Sequence, residues 1–188
     1  MADSTIALPY GLRDTKITAY EDATTTTLST LAKDVPNART MSFSEAEDFE
    51  ELRGDDKVVA IRGKGPSVEW EMEHGGISLD AYADMAGGTV TVSGVAPASI
   101  TTYTKKVTDQ RPYFKAEGQA INDNGGDFHT ILYKCRASGG VEGEMADGGF
   151  WLTKASGVSL PSLIVGLEDV LYEFIVNEGV TAIPTTTV

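Results

Sequence analysis

Apolar and polar positions alternate with a period of two along most of this chain. Val68-Glu69-Trp70-Glu71-Met72-Glu73 is the clearest case and predicts a strand with one buried face and one acidic face. Thr89-Val90-Thr91-Val92 alternates in the same way, as do Phe114, Ala116 and Ala120 against Lys115, Glu117 and Gln119. Asn122-Asp123-Asn124-Gly125-Gly126-Asp127 separates two such runs with residues that tolerate positive φ, which predicts a hairpin loop. Gly139-Gly140 and Asp147-Gly148-Gly149 mark two further turns. Leu171 to Val176 fits either period, and its aromatic and β-branched content favours a strand.

One segment breaks the pattern. Ser78 to Ala86, followed by Gly87-Gly88, has an N-cap residue, an acid in the first turn and glycine just past the end, so it predicts a short helix. Leu79, Tyr82, Ala83 and Ala86 form the stripe expected to pack on the flank of a sheet. The expected chain is therefore mainly β, with one short flanking α-helix and extended loops.

Charge changes the picture at one place above all. Glu45, Glu47, Asp48, Glu50, Glu51, Asp55 and Asp56 stand against Arg53 alone, with few apolar neighbours to bury them, so residues 45–56 read as a projecting acidic loop. Like-charge repulsion leaves such a loop mobile until it meets a partner, for which Lys105, Lys106 and Arg111 of another copy are candidates. The run Thr24 to Thr27, an N-terminal arm of about residues 1–12 and a C-terminal arm of about residues 178–188 complete the extended parts of a single domain over residues 1–188.

Over 188 residues, close to the ~150 typical of one domain, the formal net charge is −13. That balance argues against holding nucleic acid by phosphate neutralisation, which needs clustered basic charge. The lone Cys135 excludes an intramolecular disulfide, and two histidines with one cysteine make no ordinary zinc set. The start of the chain lacks the basic and apolar regions of a signal peptide, and the longest apolar zone, Leu160 to Val176, is broken by Gly166, Glu168, Asp169 and Glu173. A soluble protein made in a cytoplasm is the expectation, with no membrane contact.

Candidate chemistry adds little. Arg62-Gly63-Lys64-Gly65-Pro66-Ser67 lacks the spacing of a phosphate loop and reads as a tight turn. Asp123 to Asp127 resembles half of a calcium loop without its bidentate glutamate. Arg53-Gly54-Asp55 reads as solvated loop. Cys135 and His129, six residues apart on one face of a predicted strand, lie too far apart to form a nucleophile pair, about 20 Å at 3.3 Å per residue. Glu69, Glu71, Glu73, Glu142 and Glu144 contain no distinguished pair for glycoside hydrolysis. No catalytic, metal or cofactor site is expected.

The order of Phe43 to Asp56, Val68-Glu69-Trp70-Glu71 and Gly76-Ile77-Ser78-Leu79 resembles the major tail (tail tube) proteins of long-tailed phages of actinobacteria. Phe128-His129-Thr130-Ile131, Lys134-Cys135-Arg136-Ala137, Gly143-Glu144, Tyr172-Glu173-Phe174 and Asn177-Glu178-Gly179 are similar in kind. The resemblance implies two packed antiparallel sheets, as a β-sandwich or half-barrel, and a structural virion protein whose hexameric rings stack into the tube that conducts DNA. It implies partners in other copies of the chain, and in tape measure, tail terminator and distal tail proteins. DNA would pass through without specific binding, in a virion tail assembled in the host cytoplasm. Some relatives carry an immunoglobulin-like module after this domain, and none is expected before Val188. Glu69, Glu71 and Glu73 become candidates for the lumen, and Glu45, Glu47, Asp48, Glu50, Glu51, Arg53, Asp55 and Asp56 for a contact between subunits or rings. A monomeric β-sandwich binding module or hydrolase, and a bacterial secretion-tube protein, are the alternatives.

Overall fold

The computed structural model describes residues 6–22, 24–145 and 147–185. Eleven strands and one helix follow in the order β1 (Pro9–Ala19), β2 (Lys33–Asp34), β3 (Ala38–Gly54), β4 (Lys57–Gly75), α1 (Leu79–Ala86), β5 (Thr89–Ser93), β6 (Ile100–Thr104), β7 (Phe114–Asn122), β8 (Asp127–Arg136), β9 (Val141–Glu144), β10 (Leu152–Leu160) and β11 (Tyr172–Asn177). The protein is mainly β with one helix, as the alternation and the caps of Ser78 to Gly88 predict, and it has two antiparallel sheets, the number that the resemblance implies. The division is uneven: β5 and β6 pair only with each other, and the other nine strands form one sheet in the order β2-β1-β7-β8-β10-β4-β3. Within it β11 lies beside β8 and β9 beside β10.

That large sheet makes its own two layers. One edge of β8 is shared, with β11 paired to Asp127–Leu132 and β10 to Lys134–Arg136. The β10-β4-β3 half folds back over β1 and β7, so that Trp70 meets Phe114 edge-on at 5.5 Å between ring centroids and Met41 rests over Gly118. The core lies between the halves, with Ile17, Phe114, Ala116, Leu132 and Cys135 facing Val68, Trp70, Met72 and Ala155. The strand alternation at Val68 to Glu73 therefore reads as expected, with Val68, Trp70 and Met72 buried.

Helix α1 starts where Ser78 Oγ accepts from the Ala81 amide, and ends at Gly87, which adopts φ 75°. Its last carbonyls are capped from β6 and the turn that follows: Lys105 Nζ donates to Ala86 O and Tyr103 Oη to Gly87 O. The buried residues are Ala81, Asp84, Met85 and Ala86, so of the expected stripe of Leu79, Tyr82, Ala83 and Ala86 only Ala86 is buried, and Asp84 is paired with Lys33 at 3.0 Å. The helix is covered on two sides: Ala81 and Met85 join the core, and Tyr82 packs edge-on against Tyr103.

Residues 45–56 are not a loop. They form the distal part of β3 in a long hairpin with β4, reversed at Asp55 and Asp56, whose φ values of 49° and 60° suit a two-residue turn with both central residues left-handed. Taken by itself this stretch is strongly acidic, but β4 brings Lys57, Arg62 and Lys64 alongside its seven carboxylates. Arg62-Gly63-Lys64-Gly65-Pro66-Ser67 is likewise no turn but part of β4. Lys64 and Gly65 together oppose Asp48, a bulge that Gly65 accommodates at φ 101° and that spares Pro66 a ladder donor it lacks.

The arms are shorter than expected. Pro9 to Leu12 are already paired in β1. Residues 178–185 lie as a strap across the back of the sheet, with Ile183 buried, and residues 186–188 fall outside the described part. Within Thr24 to Thr27, the amides of Thr26 and Thr27 donate to the Asp22 carboxylate, which holds that carboxyl well below its usual range together with the hydroxyls of Thr24 and Thr26.

Candidate functional site

Three features stand out. The first is the distal β3–β4 hairpin. Every residue from 44 to 62 is exposed, and from Glu45 the ladder extends ten residues to Gly54, about 30 Å at strand rise. Its root is fixed by an aromatic cluster: Phe43 lies 5.5 Å from Tyr172 and 5.6 Å from Phe174, Phe174 lies 5.4 Å from Phe128, and Tyr172 Oη donates to Glu45. Beyond that root, Phe49, Leu52, Val58, Val59 and Ile61 are 45% to 66% exposed. Among the described residues the outer edge of β3 has no neighbouring strand. Glu50 pairs loosely with Lys64 and Glu51 with Arg53, while Glu47, Asp48, Asp55 and Asp56 have no ion pair among the described residues. An apolar ladder with an open edge and a charged rim has the features that mark association surfaces in other proteins.

The second feature is the outer face of β4. Glu69, Glu71 and Glu73 alternate with the core residues and point away from them. They are not equivalent. Glu73 bridges Arg39 and Lys154 at 3.1 Å each, whereas Glu69 and Glu71 sit in register with Ser44, Val158, Ser42 and Ser156 and have no ion pair among the described residues. Glu142 and Glu144 of β9 face Lys154 and Leu152 across β10, so Lys154 separates them from Glu73.

The third feature was missed in the sequence. On the back of β7 and β8, His129 Nδ1 lies 2.9 Å from Glu117 and its Nε2 lies 3.2 Å from Asp127 and 3.0 Å from the Thr181 carbonyl. Gln119 Nε2 also reaches Asp127 and the Thr181 carbonyl, and the Thr181 amide donates to Asp127 at 2.7 Å. Asn177 Nδ2 donates to the other Asp127 oxygen. Burial alone would raise the Asp127 carboxyl, but these donors outweigh it and hold it at about 2. Burial likewise opposes the imidazolium of His129, while the hydrogen bonds and charges of Glu117 and Asp127 raise its affinity for a proton. Alternation alone would leave this face exposed, whereas Glu117, Gln119, Asp127 and His129 are buried and the strap lies against them at Thr181.

Other candidates resolve plainly. His129 and Cys135 stand on opposite faces, because β8 carries an irregularity between Leu132 and Cys135 that turns Cys135 into the core. There, burial pushes its thiol up to about 12. The segment Asp123 to Asp127 is the β7–β8 turn, and Asp127 is occupied by its four donors. His74 is buried near the end of β4, where burial lowers its proton affinity. Lys105 and Arg111, expected as partners of the acidic stretch, instead hold backbone carbonyls of their own chain at Ala86, Asp109, Ala137 and Gly139. Among the described residues no group of three or more His, Cys, Asp or Glu side chains could hold a metal ion, and no helix is long and apolar enough to cross a membrane.

Comparison of the chain with models of known protein families gives no match, and comparison with curated proteins gives none either.

Proposed function

We propose that the chain is the structural subunit of a tail tube of a long-tailed phage, joining other copies in rings that stack around a channel for DNA. The observation that carries this reading is the β3–β4 hairpin, a rigidly rooted ladder that exposes apolar side chains and a free strand edge beyond the body of the subunit. A monomer gains nothing by leaving such a ladder open, and closure of edges against neighbouring copies removes the liability. The resemblance of the segment order to that of tail tube proteins is in keeping with the same reading.

In this assembly Glu69 and Glu71 face the channel. Their row carries the uncompensated charge of β4, while Glu73 is neutralised by Arg39 and Lys154. A wall bearing unpaired carboxylates repels the phosphates of a passing duplex and keeps it hydrated, which suits passage rather than binding. One carboxylate contributes only about 1 kcal/mol at 4 Å in water, so the effect is collective over a ring.

Negative-stain microscopy with light scattering over a wide concentration range tests the reading. Rings or tubes are the expected outcome. A monomer at all concentrations, also in the presence of tail initiator proteins, overturns it.

A further inference from the structure

We infer that residues 178–185 form a latch on the back of the sheet, closed while His129 is protonated and opened as pH rises. This holds whether or not the chain builds a tube.

The geometry sets the charge of the ring. Nδ1 faces a carboxylate oxygen of Glu117, and Nε2 faces Asp127 and the carbonyl of Thr181. All three partners are acceptors, so both nitrogens must donate, and only the imidazolium can do so. A neutral ring would set a bare lone pair against an oxygen. Nδ1 has one carboxylate partner at 2.9 Å, whereas Nε2 divides its proton between acceptors at 3.0 and 3.2 Å, so Nε2 is the site that gives it up. That is the nitrogen holding the strap.

The surrounding charges make the cation matter. From β7, Glu117 is shared with Lys115, whose Nζ lies 2.9 Å away, and Gln119 is neutral. From β8 come Asp127 and Tyr133, and from β11 Asn177 and Glu173, which accepts from Tyr133 Oη. From β1, Lys16 donates to the carbonyl of Ile183 at 3.1 Å and bridges Asp14 at 3.4 Å, and Asp34 of β2 stands opposite it. Glu117 and Asp127 thus depend on His129 and Lys115 for compensation. Loss of the imidazolium leaves two buried anions to one cation, and removes a donor from the Thr181 carbonyl.

Few other contacts hold the strap. Among the described residues they are the Thr181 amide on Asp127, the Gln119 amide, Lys16 on Ile183, the Ala32 amide on Thr185 and the buried Ile183 side chain. The strap therefore opens locally, without unfolding the sheet beneath it.

Two measurements on the intact protein test this. Nitrogen-15 NMR of His129 should show both ring nitrogens protonated at and above pH ~6.5, the ordinary histidine value. Hydrogen exchange of the Thr181 amide should accelerate by up to about a hundredfold per pH unit once His129 titrates. Ala116, in the core, should keep the usual increase of about tenfold. In His129→Gln the extra acceleration should vanish and Thr181 should already exchange fast in mild acid. A neutral His129 below pH ~6.5 overturns the proposal. So does a Thr181 amide that tracks Ala116 through the titration, and either result is readable on the natural protein if the variant fails to fold.

Discussion

Gly157 is the position where β4, β8 and β10 leave least space. A Cβ there would stand 2.0 Å from the carbonyl oxygen of Arg136 and 2.7 Å from Cζ2 of Trp70, so both backbone and the largest core ring would have to move. Gly157→Val should lower unfolding free energy by roughly 3 kcal/mol or more, at or beyond the upper end of overpacking effects; urea denaturation with an unchanged m-value would read it. The thiol of Cys135, buried in the same core and pushed up to about 12, should resist alkylation in the folded protein and react only at the rate of unfolding. Modification that is fast relative to unfolding would contradict that placement. Asp127 sets an acid limit. Its folded value of about 2 lies below the ordinary carboxyl near 3.9, so it stabilises the fold fully above that ordinary value, and the contribution is lost as pH falls from there through about 2. Thermal melts should show this decline, and Asp127→Asn should flatten it.

Among the elements, α1 is held by caps rather than length, since its eight residues have little intrinsic stability. Ser78→Ala should destabilise the protein by about 1 kcal/mol, and Ser78→Asp should retain most of that, both readable by chemical denaturation. Where a local rule decides the outcome, the sequence already contained the answer: the alternation of Val68 to Glu73, the caps of α1, the β7–β8 turn and the aromatic strand β11 all follow from neighbours in the chain. Misreadings arose where a distant partner decides. The acidic stretch becomes a strand because Lys57, Arg62 and Lys64 return beside it, and Gly65-Pro66 bends that strand without ending it. Cys135 leaves the face of His129 because of one irregularity in β8, which no period of two reveals. The clamp around His129 was invisible because the strap that lies against it has no regular structure.

At the level of the whole subunit, the hairpin and the body are separable. The core contains no residue of the ladder beyond the Glu45–Val68 pair, and Phe43 at the aromatic root packs against that core. Deleting residues 49–63 and closing the ladder with Asn-Gly should leave a folded protein with nearly unchanged thermal stability and, on the tail-tube proposal, one that does not polymerise. Normal tubes from this variant would remove the hairpin from the interface. On the tail-tube proposal, replacing Glu69 and Glu71 with lysine should preserve assembly while slowing DNA ejection in a salt-dependent way. Unchanged ejection from virions carrying the lysines would place that face away from the channel.

The strap also fixes when the subunit can be finished. Lys16, near the start of the chain, binds the carbonyl of Ile183, 167 residues later, and β1 finds its main partner only when β7 has been made. Contacts this remote form late and slow the folding of β proteins. The sheet can therefore pair before the strap is laid over it, and until then the polar groups on its back face stay open to water.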